Sequence, residues 1–294
     1  MTEDEFAAYQ SLSEETEDHR WAFGTGFTDP LEGIDAAVPP GVDPAALATY
    51  CLMLGDDALI YSHRLQQWMT RMPELEEETA LANIALDLLG QARMLLARAG
   101  QAEGNGRQED QLAFFRAEHE FRNVRLVEPL DADFAELAGR LLVFSAWRLA
   151  LFGQLTGSRD PVLAAIAAKA VKELTYHRDY AAQWVIRLGD GTQLSHDKMQ
   201  AALGAIWPLV DELFRADAVV ARLPGVAADP GKLRAEVDEV LDTVLATATL
   251  DRPGGDPMAP VAGQTGRDGV HTEALGYILA ELQSVARAHP DVTW

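Results

Sequence analysis

Side chains that bind metal ions occur in three of the long apolar segments of this chain. Asp56 and Asp57 lie in the first segment, Asp87 in the second, and Glu173 is followed four residues later by His177. Carboxylates and imidazoles that meet inside a helix bundle can hold a pair of iron atoms for oxygen chemistry. The residue types therefore make a di-metal centre the first hypothesis to test.

The spacing of these residues departs from the pattern that such a centre needs. Two helices should each supply a carboxylate, and two others a glutamate with a histidine three residues later. Three residues after Asp87 stands Gly90, followed by Gln91, and three residues after Glu173 stands Tyr176. Neither of the two histidine positions therefore holds a histidine.

Another long apolar segment, from Arg140 to Thr156, contains no acidic residue. Two irons with so few carboxylates and no correctly spaced imidazole would be weakly held. We therefore predict no catalytic residue and no metal in this chain, and a buried polar network in place of the metal. The predicted network, the remnant of a degenerate metal site, comprises Asp56, Asp57, Asp87, Gln91, Glu173, Tyr176 and His177.

Buried carboxylates need counter-charges, and Lys169, Lys172 and Arg93 are the candidates. Three other interpretations stay open. A single metal ion could bind, the chain could be a divergent metal-binding oxygenase or oxidase that uses the residual carboxylates, or it could be a helical binding or storage module. A further motif, His271 to Glu273, could bind an ion or mark a loop that enters a helix with Thr272 as its N-cap.

The elements that must position these residues are all predicted to be helices. Asp43 is a preferred N-cap and Pro44 suits a first helical position, so the first long helix should run from there to about Met69. Pro73 should separate it from a second helix that Glu76 to Glu78 open. Later helices are expected at Phe134 to about Thr156, Val162 to Leu188, about Asp197 to Arg215, Gly231 to Thr247 and Thr272 to His289.

The four long helices fall into two pairs, with a short link inside each pair and a long connection between the pairs. This pattern predicts an all-α, ferritin-like four-helix bundle with additional C-terminal helices. The stretch Ala80 to Ala99 is apolar on every side of the helix, which predicts that the second helix is buried all round. Residues 1–42 read as an acidic, irregular extension, and residues 43–294 as one helical domain.

The composition indicates the cellular compartment of the protein and excludes some classes of partner. A formal charge of −22 makes nucleic acid and an anionic membrane poor partners. The single cysteine, Cys51, excludes an internal disulfide bond. No long uncharged apolar run and no signal-like start are present, so we expect a cytoplasmic protein.

Long blocks of the sequence resemble the C subunits of bacterial phenylacetyl-CoA epoxidases, also called phenylacetate-CoA oxygenases. The resemblance spans about Pro44 to Trp294. It is carried by LGDDALIYSHRLQQWM, PELEEETALANIALDLLGQARMLL, SRDPVLAAIAAKAVKELTYHRDYAAQWVIRLGDGT and GRDGVHTEALGYILAELQ.

The resemblance implies a component of a multicomponent enzyme that forms a ring 1,2-epoxide on phenylacetyl-CoA during aerobic phenylacetate degradation. In that family a related A subunit holds the di-iron centre, and a reductase subunit with FAD and an iron-sulfur cluster supplies electrons from NADPH. The C subunit is ferritin-like and structural, and it pairs with the A subunit in an oligomer. The missing histidines at Gly90 and Tyr176 agree with that role.

Overall fold

The computed structural model describes residues 31, 33–72, 74–290 and 292. Its α-helices are α1 (Pro44–Met69), α2 (Leu75–Glu103), α3 (Glu109–Phe114), α4 (Phe134–Leu155), α5 (Pro161–Gly189), α6 (Gln193–Ile206), α7 (Ala218–Ala221), α8 (Arg234–Thr247) and α9 (Glu273–Ala288). The described residues form no strand, only one isolated bridge between Val261 and Gln264. The all-α prediction is confirmed.

Three of the long helices begin where their sequence predicts, because an aspartate caps each of them. Asp43, Asp133 and Asp160 accept hydrogen bonds from backbone N–H groups in the first turns of α1, α4 and α5. These N–H groups have no partner within the helix, so the caps fix the start of each helix. Pro44 and Pro161 occupy the first positions, where a missing N–H costs nothing.

The four long helices form the predicted ferritin-like bundle. A short link makes α1 and α2 antiparallel neighbours, α4 and α5 pair in the same way, and α2 also contacts α5. The long connection, residues 104–133, contains α3 and two turns of 3₁₀ helix. Helices α6 and α8 pack on α4 and α5, and α9 contacts α1 and α3.

Two of the predicted helix boundaries are wrong. The helix expected up to Arg215 ends as α6 at Ile206 and continues only as 3₁₀ turns, because Pro208, two residues further on, has no N–H group for the next helical hydrogen bond. The helix expected from Gly231 starts as the 3₁₀ turn Pro230–Leu233 before α8. Of the predicted extension, residues 1–30 and 32 lie outside the described residues, as does Pro73. The described chain from Gly33 onward belongs to one compact unit, and the predicted domain limits stay a prediction.

The prediction that α2 is buried on every side is wrong. Leu81, Ile84 and Leu88 are completely buried and face the bundle, whereas Leu86 is 59% exposed and Leu75 is 72% exposed. α2 packs against α1 and α5 and also contacts α3, where Arg93 lies 3.7 Å from Glu109. α2 is also the one described helix with the length and apolar content of a membrane span, a test that core helices pass as well.

Polar contacts join helix α9 to α1. Gln67 donates a hydrogen bond of 2.7 Å to Glu281, and His63 Nε2 lies 3.4 Å from the same carboxylate. Partial burial lowers the pKa of His63, although Glu281 opposes that effect. A histidine whose pKa is lower in the folded chain than in the unfolded chain binds protons more weakly when folded.

We therefore expect His63 to make the chain less stable as the pH falls below about 6.5, the ordinary pKa of histidine. Urea unfolding at about pH 7.5 and about pH 5.5 measures the effect. The loss of unfolding free energy on acidification should be smaller in His63→Gln than in the wild type, by less than about 1 kcal/mol. An equal or larger loss in the variant would show that His63 is not the titrating group.

Candidate functional site: charged side chains in the bundle core

Asp56, on α1, is completely buried and is held by an arginine from the long connection. Both terminal nitrogens of Arg116 donate to the Asp56 carboxylate, one of them at 2.9 Å. The backbone N–H of Arg122 donates to the same carboxylate at 2.9 Å. All the charge of Asp56 is thus matched inside the chain by a two-pronged ion pair.

Asp57, the next residue, is also completely buried and pairs with a different arginine. Arg267 donates to its two oxygens at 3.0 and 2.8 Å, and the N–H of Val124 donates at 2.8 Å. Burial raises the pKa of Asp57, and Arg267 opposes that rise. Arg267 also donates to the carbonyl oxygens of Met53 and Arg122, so it joins α1 to the connection and to the C-terminal segment.

A third arginine, Arg148 on α4, is buried at the centre of the bundle. Its Nε donates to Gln91 at 3.0 Å, and its two terminal nitrogens donate to the carbonyl of Leu54 at 3.2 Å. The guanidinium lies 4.3 Å from the ring centroid of Phe152. Burial lowers the pKa of Arg148 to about 10, so it stays positively charged at neutral pH.

Gln91 connects this arginine to the carboxylate of α5. Its amide nitrogen donates to Glu173 at 3.0 Å, and Glu173 pairs on its other oxygen with Lys169, one turn earlier. A continuous chain of contacts therefore runs from the half-exposed Lys169 through Glu173 and Gln91 to Arg148.

Asp87 and His177 form a separate pair at the edge of the bundle. His177 Nε2 lies 3.0 Å from the Asp87 carboxylate, and the side chain of His177 is 1% exposed while that of Asp87 is 36% exposed. Tyr176 is 50% exposed. The prediction that Tyr176 belongs to a buried network is wrong, because its side chain leaves α5 on the side away from the core.

The predicted residues therefore do not meet at one point. Asp56 and Asp57 face two different arginines, Glu173 faces Gln91 and Lys169, and Asp87 faces His177. In the part of the chain that the structure describes, no three acidic, histidine or cysteine side chains are close enough to share a metal ion.

This donor set does not fit a di-iron centre. Two irons need several carboxylates that bridge them and an imidazole on each. Here a metal ion would have to displace a guanidinium or an ammonium group from each carboxylate of α1 and α5, and Arg148 would repel it. What the arrangement does chemically is neutralise buried charge by ion pairs and hydrogen bonds.

The three arginines are the residues that sequence reasoning missed. Arg148 interrupts an apolar run in α4, and a cation in that position could have indicated a buried ion pair. Arg116 and Arg267 lie in irregular segments 60 and 210 residues away from their aspartates, so no spacing rule points to them. Of the predicted counter-charges, Lys169 does pair with Glu173, whereas Arg93 lies 3.7 Å from Glu109 instead.

The motif at His271 is a structural junction. His271 Nδ1 lies 2.7 Å from the Glu128 carboxylate, and both side chains are completely buried. The other oxygen of Glu128 accepts the N–H of Thr272 at 2.7 Å. Thr272 is the N-cap of α9, as predicted, although its hydroxyl makes no capping hydrogen bond.

Comparison with known proteins gives a consistent result over nearly the whole chain. The family described as phenylacetic acid catabolic protein matches residues 34–294. A relative from Escherichia coli (strain K12), the C subunit of 1,2-phenylacetyl-CoA epoxidase, is 45% identical over 250 residues, which cover 84% of this chain and 99% of the relative. Identity at that level over almost all of the relative shows common ancestry and a common fold. The chain therefore belongs to the phenylacetic acid catabolic protein family.

Proposed function

We propose that this chain is the non-catalytic, structural C subunit of a phenylacetyl-CoA 1,2-epoxidase. The observation that carries the proposal is the pairing of every carboxylate at the former ligand positions with a basic side chain of the same chain. The similarity to the C subunit of an epoxidase supplies the name of the complex. The chain would then contribute a rigid helical surface and no reacting group.

The proposed partner is the related catalytic A subunit, which would carry the di-iron centre and bind the substrate. A reductase subunit with FAD and an iron-sulfur cluster would supply electrons from NADPH. The C subunit would stabilise the A subunit by covering helical surface that the A subunit cannot expose to water alone. In this proposal the complex works in the cytoplasm, in the degradation of phenylacetate.

Reconstitution of the complex tests this function. The A subunit and reductase, produced with and without this chain, are assayed for epoxidation of phenylacetyl-CoA with NADPH. We expect turnover only when the chain and the A subunit are both present, and none from this chain with the reductase alone. Full turnover by the A subunit and reductase without this chain would contradict the proposal.

A further inference from the structure

A narrow pocket with polar walls lies beside the ion pair of Asp57 and Arg267. Its volume is about 30 Å³. Apolar side chains of α1 and α4 form much of the wall, and three polar side chains complete it. These are Tyr50 of α1, Glu212 of the 3₁₀ turn Asp211–Phe214, and Arg267 of the C-terminal segment. Each of the three has hydrogen-bonding capacity that the described chain does not use.

The hydroxyl group of Tyr50 has a proton for which the described chain provides no acceptor. The side chain is 2% exposed, and its oxygen accepts the backbone N–H of Ala228 at 3.2 Å. Burial raises the pKa of Tyr50, an effect that the Ala228 N–H and the charge of Arg267 only partly oppose, so the hydroxyl keeps its proton at neutral pH. A buried donor without an acceptor costs free energy. The Tyr50 hydroxyl therefore needs an acceptor inside the pocket.

Arg267 also has a donor to spare. One terminal nitrogen donates to Asp57 and to the carbonyl oxygens of Met53 and Arg122, and the other donates to the second oxygen of Asp57. The Nε–H group of a guanidinium is a further donor, and no residue of the described chain accepts from it. Arg267 can therefore donate into the pocket while its pair with Asp57 stays intact.

Glu212 supplies the acceptor that the two donors lack. Its Oε1 accepts the backbone N–H groups of Arg125 and Gly266 at 3.3 and 3.2 Å, whereas its Oε2 accepts only the Nε–H of Arg125, at 2.6 Å. A carboxylate oxygen can accept more than one hydrogen bond. Because Arg125 already matches the charge of Glu212, the remaining acceptor suits a neutral donor.

We propose that this pocket is a binding site for water, and that its water molecules join Tyr50, Glu212 and Arg267 by hydrogen bonds. A buried water needs about 10–15 Å³ of cavity and two to four polar partners, so the pocket has room for about two. A water molecule accepts and donates at once. It can accept from Tyr50 and Arg267 and donate to Glu212, which connects α1, the 3₁₀ turn and the C-terminal segment.

Other small ligands match the pocket less well. An anion would face the carboxylate of Glu212, and a metal cation would face the guanidinium of Arg267. An apolar molecule would leave the Tyr50 hydroxyl without an acceptor. Water is the ligand of this size that satisfies the donors and the acceptor together.

The pocket also brings solvent to a buried ion pair. Arg215, which is exposed, and the half-buried Asp217 line the pocket together with Arg267. The pocket therefore extends from the core towards the surface, and water can enter from that side. Hydration of Arg267 lowers the cost of keeping the charges of Asp57 and Arg267 inside the bundle.

High-resolution crystal structures of the whole chain test the site directly. We expect one or two ordered water molecules in the wild-type pocket, one of them at hydrogen-bond distance from the Tyr50 hydroxyl, and the loss of that water in Tyr50→Phe. Wild-type crystals under xenon pressure should hold no xenon there, because xenon enters dry, apolar cavities. A pocket without water density, or one that takes up xenon, would overturn the proposal. A bromide peak after soaking would also overturn it, and would assign the pocket to an anion.

Thermal unfolding compares two buried tyrosines as a matched pair. Tyr61 is completely buried, does not line the pocket, and has a hydroxyl without a hydrogen-bond partner in the described chain. We expect Tyr50→Phe to lower the melting temperature by about 2–4 °C, and Tyr61→Phe to leave it unchanged or raise it. An unchanged melting temperature in Tyr50→Phe, or equal losses in both variants, would contradict a bridging role for the Tyr50 hydroxyl.

Discussion

Replacing Arg267 by alanine is expected to lower the free energy of unfolding by about 3–5 kcal/mol. The change leaves Asp57 completely buried without its counter-charge, and it also removes the hydrogen bonds to the carbonyls of Met53 and Arg122. Urea unfolding followed by circular dichroism at neutral pH measures the loss. Arg93→Ala is the control, because Arg93 is 71% exposed and its pair with Glu109 is long. It should cost less than about 0.5 kcal/mol.

The loss in Arg267→Ala should also depend on pH. Burial raises the pKa of Asp57 and Arg267 opposes the rise, so the pKa in the variant lies still higher. A carboxyl group whose pKa is higher in the folded than in the unfolded chain lowers the free energy of unfolding as the pH rises. The variant should therefore be closer to the wild type at about pH 5 than at about pH 8. A loss below about 1 kcal/mol at both values would show that the ion pair is dispensable.

Replacing Arg148 by alanine is expected to cost about 3–4 kcal/mol. The side chain is completely buried between Gln91, Leu54 and the ring of Phe152, so its removal leaves a cavity and takes a donor from Gln91. Urea unfolding again measures the loss. Arg148→Met keeps most of the volume and should recover more than half of it. Equal losses in the two variants would mean that the hydrogen bonds of the guanidinium, and not its volume, dominate.

The bundle itself could be predicted because its signals are local. Asp43, Asp133 and Asp160 stand next to the helices they cap, and the apolar repeats that follow set the lengths of those helices. The end of α6 was harder to place, because the backbone there changes from α to 3₁₀ geometry within a continuous apolar stretch around Pro208.

The partners in the core could not be predicted because they come from distant segments. Asp56 and Asp57 are adjacent in sequence, yet one meets an arginine of the long connection and the other an arginine of the C-terminal segment. Only the folded chain decides which cation reaches which carboxylate. The pair of Lys169 with Glu173 was predictable, since residues four apart meet on a helix.

The exposed face of α2 shows that an apolar sequence pattern does not by itself predict which side chains are buried. An apolar side can be covered by the same chain or by another, and the sequence of Ala80 to Ala99 is the same in both cases. The structure separates the two sides of the helix, with Ile84 buried and Leu86 exposed. The sequence of α2 therefore does not show which of its apolar side chains are buried, whereas the structure does.

The iron content of the purified chain, alone and after production together with the A subunit, tests the central claim most directly. Elemental analysis should be combined with mass measurement of any complex. We expect no stoichiometric iron in this chain alone, and iron in a stable complex that contains the A subunit. Two irons bound by this chain alone would contradict the account, since they would have to displace arginine or lysine from Asp56, Asp57 and Glu173.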